Sequence, residues 1–487
     1  MSEADARTPI RFGTDGWRAP IAEEFTFANL ERVAQAYADY LLSKDTGAPL
    51  VVVGYDRRFL SERFALRASE ILEGNGFRVQ LFNEAVPTPL VSWAVREQGA
   101  AGGVVITASH NPPEFNGFKI KADFGGSAPP EITAAVEALL DKRPPRRAAR
   151  LMNDDGDLEA LAAALSSYRA QIASYVDLER IARAPMRVVI DPMHGSGGRW
   201  VESFLRNGTL EAETIRAERD PLFGGVSPEP IDRNLGPLCA RVLERRAHLG
   251  LATDGDADRV GAVNELGETM TMHEVVPLLL LHLARGRGLR GGVIRTFSQS
   301  ILTKRIAAAH NLKLYETPIG FKYIADLMLR EEILIGAEES GGIGVRGHIP
   351  ERDGILNSLL LLEAVVMAGK PPSVMVREMH REFGEFYFGR RDLHMDVRRG
   401  MELVAKLAAD APVRVGVYRV SGIETLDGTK LLFDDESWLL FRQSGTEPVL
   451  RVYAEATSKA KTNALLDEGT KLALQHIDKA PEGGDRM

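Results

Sequence analysis

Apolar runs rich in β-branched residues at 50–55 and 103–106, with a further strand expected between them at 78–82, alternate with segments of helical spacing at 61–73 and from Val86 to just before Gly99. Runs of that length pack as buried strands, and strands alternating with helices build a mostly parallel, doubly wound sheet. Ligands of such sheets bind outside the carboxyl ends of the strands. The run at 103–106 ends in Thr107-Ala108-Ser109-His110-Asn111-Pro112-Pro113, where two prolines force a turn. Ser109 therefore stands at the mouth of the sheet, with His110 beside it and Lys119 ten residues on. A hydroxyl in that place can accept and hand on a covalent group. Equally, a serine in a turn caps the element that follows.

With 487 residues the chain exceeds what one hydrophobic core serves, so two to four domains are expected. Apolar residues make up 44% and charged residues 26%, an ordinary balance for a soluble globular protein. A net charge of −8 gives no electrostatic footprint for nucleic acid. No apolar stretch reaches the length of a membrane span, since residues 275–283 are interrupted by Pro277 and His282. The first residues lack the apolar core of a signal peptide, and Cys239 is the single cysteine. Together these favour the cytoplasm, with Cys239 as a buried small hydrophobe.

The opening Gly13-Thr14-Asp15-Gly16-Trp17-Arg18 is a glycine-punctuated turn in which Arg18 can meet an anion, or a plain turn with a surface arginine. Residues 141–147 carry two prolines and five charged positions and read as a solvated linker, after which a long helix is expected over 157–181. A strand at 186–190 leads into the glycine-rich turn 191–198, which lacks the lysine of a phosphate-binding P-loop; it is taken as a supporting turn, with His194 structural. A second strand, 248–253, runs into Asp254-Gly255-Asp256-Ala257-Asp258-Arg259. Alternate residues of an extended segment project to one side, so the three carboxylates can converge on one cation. Oxygen ligands suit Mg²⁺ or Ca²⁺. An EF-hand needs glycine at the sixth position, which here is Arg259. A merely solvated turn would leave three like charges repelling one another. Three protein ligands leave coordination positions open, and a phosphoryl group on Ser109 would fill one.

Further on, a strand, turn and helix start surround Gly320, and a strand ends in Glu338-Glu339-Ser340-Gly341-Gly342. Glu338 and Ser340, two apart, can both face a cleft and hydrogen-bond sugar hydroxyls; a surface turn accounts for the pattern equally well. His348 and Arg352 follow closely and either line the same cleft or pair with local carboxylates. From about 385 the character changes. A strand over 413–420 and a hairpin over 423–433 with Asp427-Gly428 at its turn indicate an antiparallel sheet. Arg442-Gln443-Ser444-Gly445-Thr446-Glu447-Pro448 then offers an arginine, two hydroxyls and a glycine-freed backbone, a kit suited to a phosphate, and the next strand carries Arg451.

In this order, the motifs at 107–112, 254–259, 338–341 and 442–448 resemble those of the α-D-phosphohexomutase superfamily, most closely its bacterial phosphoglucomutase/phosphomannomutase branch, over nearly the whole chain. The resemblance implies four domains around a central cleft: three related α/β domains with mixed sheets and a C-terminal α+β domain with an antiparallel sheet. The boundaries expected are 1–150, 151–264, 265–383 and 384–487. It implies a phosphoserine at Ser109, one Mg²⁺ per chain held by Ser109, Asp254, Asp256 and Asp258, and catalytic surroundings formed by Lys119, Arg18 and His110. It assigns substrate contacts to Arg259, Gly320, Glu338, Ser340, His348, Arg352, Arg442, Ser444, Gly445, Thr446 and Arg451. The implied activity moves a phosphoryl group between the 1- and 6-positions of glucose phosphate, and also of mannose phosphate, with hexose 1,6-bisphosphate as activator. Partners are then small hexose phosphates, with no nucleic acid or membrane, and the assembly a monomer or homodimer. An amino-sugar phosphate mutase, a phosphosugar-binding regulator without turnover, and a Mg²⁺-dependent phosphatase are the alternatives. One departure stands out: some branches place a histidine after the Ser-Gly of the sugar loop, where this chain has Gly342.

Overall fold

The structure is a computed structural model that describes residues 9–13, 15–44, 49–150, 155–206, 208–444 and 448–479. The chain divides into two compact units, one of Met1–Met272 with Gly320–Val374, the other of His273–Ile319 with Met375–Met487.

In the first unit, β1 (Trp17–Pro20), β2 (Leu50–Tyr55), β3 (Arg78–Leu81), β4 (Gly102–Ile106) and β5 (Phe115–Lys121) form a sheet of order β1-β5-β4-β2-β3. β2 is parallel to β3 and β4, whereas β5 is antiparallel to β4 and β1. The expected parallel sheet is thus confined to three strands, and the whole is mixed. β5 has no sequence signature because it buries Lys119 and Lys121, which break any apolar pattern. Every residue of β2 and β4 is buried, and each buried Val, Leu or Ile contributes roughly 1.5–3 kcal/mol.

A second sheet holds β6 (Arg187–Asp191), β7 (Glu211–Thr214), β8 (Leu249–Thr253), β9 (Val260–Asn264) and β10 (Thr269–Met270) in the order β10-β9-β8-β6-β7. β6 is parallel to β7 and β8, and β9 is antiparallel to β8 and β10. Strands β6 to β9 therefore repeat the order and directions of β2 to β5. The Ser109 turn joins β4 to β5 and the aspartate loop joins β8 to β9, which are equivalent places in the two sheets.

The next segment supplies a parallel pair, β11 (Gly292–Thr296) with β12 (Leu314–Thr317), to the second unit. It supplies an antiparallel pair, β13 (Ile333–Ala337) with β14 (Ile343–Val345), to the first. The Glu338 loop joins β13 to β14, so it takes the same place in the strand sequence a third time. The rest of the second unit is a six-stranded antiparallel sheet of β15 (Tyr387–His394), β16 (Arg414–Val415), β17 (Tyr418–Glu424), β18 (Thr429–Phe433), β19 (Trp438–Gln443) and β20 (Val449–Ala456), in the order β15-β20-β19-β18-β17-β16. Leu431, Phe441, Leu450 and Val452 of this sheet share a core with Leu465 of the helix Lys459–Lys479.

Three local expectations change. The helix expected over 157–181 is two helices, Asp155–Tyr175 and Leu178–Ala182, because the Asp177 carboxylate caps a fresh start by accepting from the Arg180 N–H at 3.0 Å. The strand expected over 413–420 is split at Gly416, where φ is 56°. Cys239 is half-buried rather than buried, with Sγ 3.8 Å from Thr269 Oγ1. Among the described residues no single helix is long and apolar enough to cross a membrane.

Candidate active site

Ser109 lies in the left-handed region of the backbone, at φ 52°, a conformation a serine holds only when its surroundings impose it. The surroundings are buried and charged. Asp56, at the end of β2, accepts from Thr107 Oγ1 at 2.6 Å and Ser61 Oγ at 2.8 Å, and Thr107 Oγ1 in turn accepts from the Ser109 N–H at 2.9 Å. Arg58, fully buried, donates to the carbonyls of Ser109 and Asn111 at 2.6 Å, of Pro112 at 2.7 Å and of Phe115 at 3.0 Å. One guanidinium thus gathers the carbonyls of the whole turn, which its fixed fork of donors suits.

The turn presents the Ser109 hydroxyl to the aspartate loop, where it donates to Asp254 Oδ2 at 2.8 Å. Its oxygen is also 3.2 Å from His110 Nδ1. Asp254, Asp256 and Asp258 are all buried, and one oxygen of each lies within 4.8 Å of the others. Asp254 uses Oδ1 to accept from the N–H groups of Asp258 and Arg259. Asp256 uses Oδ2 to accept from Thr88 Oγ1 at 2.7 Å and Lys119 Nζ at 2.8 Å; Asp258 uses Oδ2 to accept from Lys119 Nζ at 3.1 Å. Asp256 Oδ1 and Asp258 Oδ1 are buried without a hydrogen-bond partner among the described residues. Each of these two carboxylates is therefore held by one oxygen and offers the other. Burial, and then the charges of Asp256 and Asp258, push Asp254 well above the usual carboxylate range. A donor set of three mutually repelling carboxylates, two of them with a free oxygen, fits a hard divalent cation.

Lys119 and Arg352 balance the remaining charge. Burial alone would lower the Lys119 pKa, but Asp15, Asp256 and Asp258 more than reverse this, and the ammonium stays charged. Its Nζ is 2.8 Å from Asp15 Oδ2. Arg352 pairs with Asp15, with Asp258 at 2.9 Å and, more loosely, with Glu338 at 3.9 Å. It is the residue that joins the metal loop to the Glu338 loop. Beneath them Lys121 and Glu351 form a buried pair at 2.6 Å, with Ser127 donating to the same carboxylate.

The Glu338 loop also abuts Arg259, through a bridge to Gly342 and a bond from the Val260 N–H to the Gly341 carbonyl at 3.1 Å. Burial raises Glu338 to about 7, against the opposing pull of Arg352. Ser340 Oγ is buried with no partner among the described residues. A side chain at Gly342 has no room, because its Cβ would stand 2.4 Å from Arg352 Cδ. The space a longer residue would need there is filled by Arg352. Arg18 donates to Asn111 Oδ1 at 2.8 Å and so borders the Ser109 turn. Burial, then Arg259 and Arg18, hold His110 well below the usual histidine range, so its imidazole is neutral. His348 stands differently: its Nε2 is 2.9 Å from Asp353, which also accepts from Tyr168, and its ring stacks on Trp93. Gly320, at φ 139°, precedes the helix Phe321–Arg330.

In the second unit, Arg442 at the end of β19 donates through Nε to Asp427 Oδ2 at 3.0 Å and is paired across the sheet with Arg451. Ser444 follows, its N–H bonded to the Val449 carbonyl at 2.9 Å. Gly445 and Thr446 lie outside the described residues.

Four family models match in succession: phosphoglucomutase/phosphomannomutase α/β/α domain I over residues 9–147, domain II over 166–267, domain III over 272–383 and the C-terminal domain over 396–471. The chain belongs to the phosphoglucomutase/phosphomannomutase family. It is 33% identical over 461 residues to a phosphoglucomutase/phosphomannomutase of Thermococcus kodakarensis, covering 95% of this chain and 98% of that one. A phosphoglucosamine mutase of Carboxydothermus hydrogenoformans is 30% identical, with 94% and 97% covered. A crystal structure from Thermus thermophilus, provisionally named a phosphomannomutase, superposes with a TM-score of 0.84 at 38% identity, covering 96% of this chain and all of that one. The enzyme is accordingly a phosphohexomutase, an intramolecular phosphotransferase of the isomerase class.

Four supporting residues escaped sequence reading as functional positions. In the first unit they are Asp15, Arg58 and Thr88, each of which acts on a partner remote in the chain, as Thr88 does on Asp256, 168 positions away; in the second unit it is Asp427, which acts on Arg442. Asp15 sits inside the quoted opening motif, so its acid between two glycines was the available signal.

Proposed function

We infer that the enzyme interconverts the 1- and 6-phosphates of a hexose, glucose first and mannose second, through a phosphoserine at Ser109 and a hexose 1,6-bisphosphate. The observation that carries the reading is the Ser109 hydroxyl 2.8 Å from a cluster of three buried aspartates able to share one cation. The phosphoserine P–O bond breaks as a free sugar hydroxyl bonds to phosphorus, and the proton of that hydroxyl ends on the departing Ser109 oxygen. The resulting bisphosphate turns over, its other phosphate ester breaks, and that phosphoryl group returns to Ser109. Arg442, Ser444, Gly445, Thr446 and Arg451 take the phosphate that is not being transferred, and Glu338 and Ser340 accept sugar hydroxyls in either pose.

Asp254, Asp256, Asp258 and the phosphorylated Ser109 would hold one Mg²⁺, whose chemistry there would be neutralisation of charge on the phosphoryl oxygens. Lys119 and Arg18 add fixed positive potential there, in a buried setting where it needs no reorganisation during transfer. Arg352 and Arg259 keep the sugar loop against the metal loop. Thr88 holds Asp256 by Oδ2, which leaves Oδ1 as the oxygen that would be available to a cation. Thr88→Val keeps the shape but loses the bond, and should weaken Mg²⁺ activation by about 10–100-fold, read from Mg²⁺ titrations of turnover.

Glu338 supplies a pH dependence. With its value near 7, it carries a proton below that pH and becomes a full acceptor above it. kcat/KM should therefore rise with pH through about 7, and Glu338→Gln should remove that limb from the profile.

The deciding experiment is a coupled assay on glucose 1-phosphate, mannose 1-phosphate and glucosamine 1-phosphate, with Mg²⁺ and catalytic hexose 1,6-bisphosphate. Fastest conversion of glucose 1-phosphate supports the reading. A glucosamine preference replaces its substrate, and no conversion of any of the three overturns it.

A further inference from the structure

The tip of the β17–β18 hairpin carries more polar contacts than a turn needs. Asp427 Oδ2 accepts two hydrogen bonds, from the backbone N–H of Ile319 at 2.8 Å and from Arg442 Nε at 3.0 Å. Ile319 is the residue before Gly320, in the loop that leaves β12. The turn also lies directly on Arg442. Gly428 holds φ 97°, and a Cβ there would stand 2.4 Å from the Phe441 carbonyl and 3.2 Å from Arg442 Cα. Two residues on, buried Lys430 lies 3.8 Å from Glu316 of β12 and 3.4 Å from Glu424, with its ammonium 3.7 Å over the Phe297 ring. Glu316 is in turn paired with Arg295 of β11 at 2.7 Å. The hairpin tip is thus anchored at one end to β11 and β12 and at the other to the arginine of the phosphate loop.

We propose that Asp427 is a positioning residue that locks the plane of the Arg442 guanidinium to the loop ending at Ile319, so that phosphate grip and sugar orientation are set by one carboxylate. The proposal rests on the reading that the Arg442 loop takes the substrate phosphate and that the stretch around Gly320 orients the sugar. The physical ground is the guanidinium fork. Its recognition of phosphate is planar and bidentate, so fixing Nε fixes the plane of the whole group. A hexose phosphate must be gripped by the same loop whether the phosphate is at the 1- or the 6-position. A carboxylate tied to both loops holds the spacing of those loops constant in either pose. An aspartate serving the turn alone would need neither the Ile319 bond nor the Arg442 bond.

Asp427→Asn is the informative variant, because Asn-Gly supports the same tight turn while the charge that holds Arg442 is lost. Arg442→Lys removes the fork, and the double variant closes the cycle. KM for glucose 1-phosphate and kcat are measured for all four proteins, with thermal midpoints alongside. Asp427→Asn should raise KM about 10-fold or more with kcat within about 3-fold, the loss of one charge-assisted hydrogen bond to a binding group. In the Arg442→Lys background the same change should add less than about 2-fold. A KM unchanged in Asp427→Asn, or equal fold-changes in both backgrounds, overturns the proposal. If Arg442→Lys itself leaves KM unaltered, the phosphate-loop reading falls first, and the proposal with it. A turn-only role would lower the thermal midpoint and move KM equally in both backgrounds.

Discussion

Ser109→Ala is expected to yield a folded protein that takes up no phosphoryl group and turns over glucose 1-phosphate on the order of 10⁴-fold more slowly or worse, the scale seen when a covalent nucleophile is removed. The fold should survive because the turn is not built on the hydroxyl. Arg58 holds it through four backbone carbonyls and Thr107 through the Ser109 N–H, and an alanine leaves all of these in place. The hydroxyl itself contacts Asp254 Oδ2 and His110 Nδ1, so its loss should change stability by about 1 kcal/mol. Intact-mass measurement after incubation with glucose 1,6-bisphosphate is the direct check. The parent chain should gain one phosphate and the variant none. Turnover in Ser109→Ala at the parent rate would remove the phosphoserine from the mechanism, whatever else the site retained.

That the serine could be found before the structure has a physical basis. The end of a buried strand, a small hydroxyl residue and two prolines in a row are all local features, and local features are what sequence displays. The aspartate loop was legible for the same reason, since Asp254, Asp256 and Asp258 alternate within five residues. The supporting residues were not. Arg58 reads as one arginine in a run of two, and its burial appears only once β2 lies beside β4. Lys119 and Lys121 concealed a strand, because two buried ammonium groups make sense only next to Asp15, Asp256 and Glu351. The kinship of the first two sheets was hidden as well. β2 to β5 and β6 to β9 share strand order and direction, while the loops at the equivalent place carry Ser109 in one and three aspartates in the other. What is common is the position of the chemistry, and position leaves no mark in residue identity.

Lys119→Met should cost both stability and rate, and the two losses should answer differently to pH and to Mg²⁺. The ammonium is fully buried, 2.8 Å from Asp15, 2.8 Å from Asp256 and 3.1 Å from Asp258. Deleting one partner of a buried charge cluster leaves the others uncompensated and costs about 3–5 kcal/mol, visible as a lower denaturation midpoint. The pH dependence follows from the sign of the shifts. Lys119 is raised above its ordinary value, so its contribution is complete below the ordinary lysine range and is lost only above it. Asp15 and Asp256 are held below theirs, largely by this same charge, against the effect of burial. Without Lys119 these carboxylates move upward and take up protons on acidification. The stability deficit should therefore shrink on acidification, starting as the raised carboxylates of the variant take up protons and ending only at the depressed values that Asp15 and Asp256 have in the parent. Added Mg²⁺ should also narrow it, because a cation among Asp254, Asp256 and Asp258 replaces part of the missing charge. The rate should not recover in step. A positive group fixed beside a transferring phosphoryl is worth on the order of 10²–10³-fold, and a cation bound by the aspartates would not replace the donor that Nζ supplies. Parallel recovery of rate and stability on adding Mg²⁺ would show that Lys119 serves the site as a counter-ion alone.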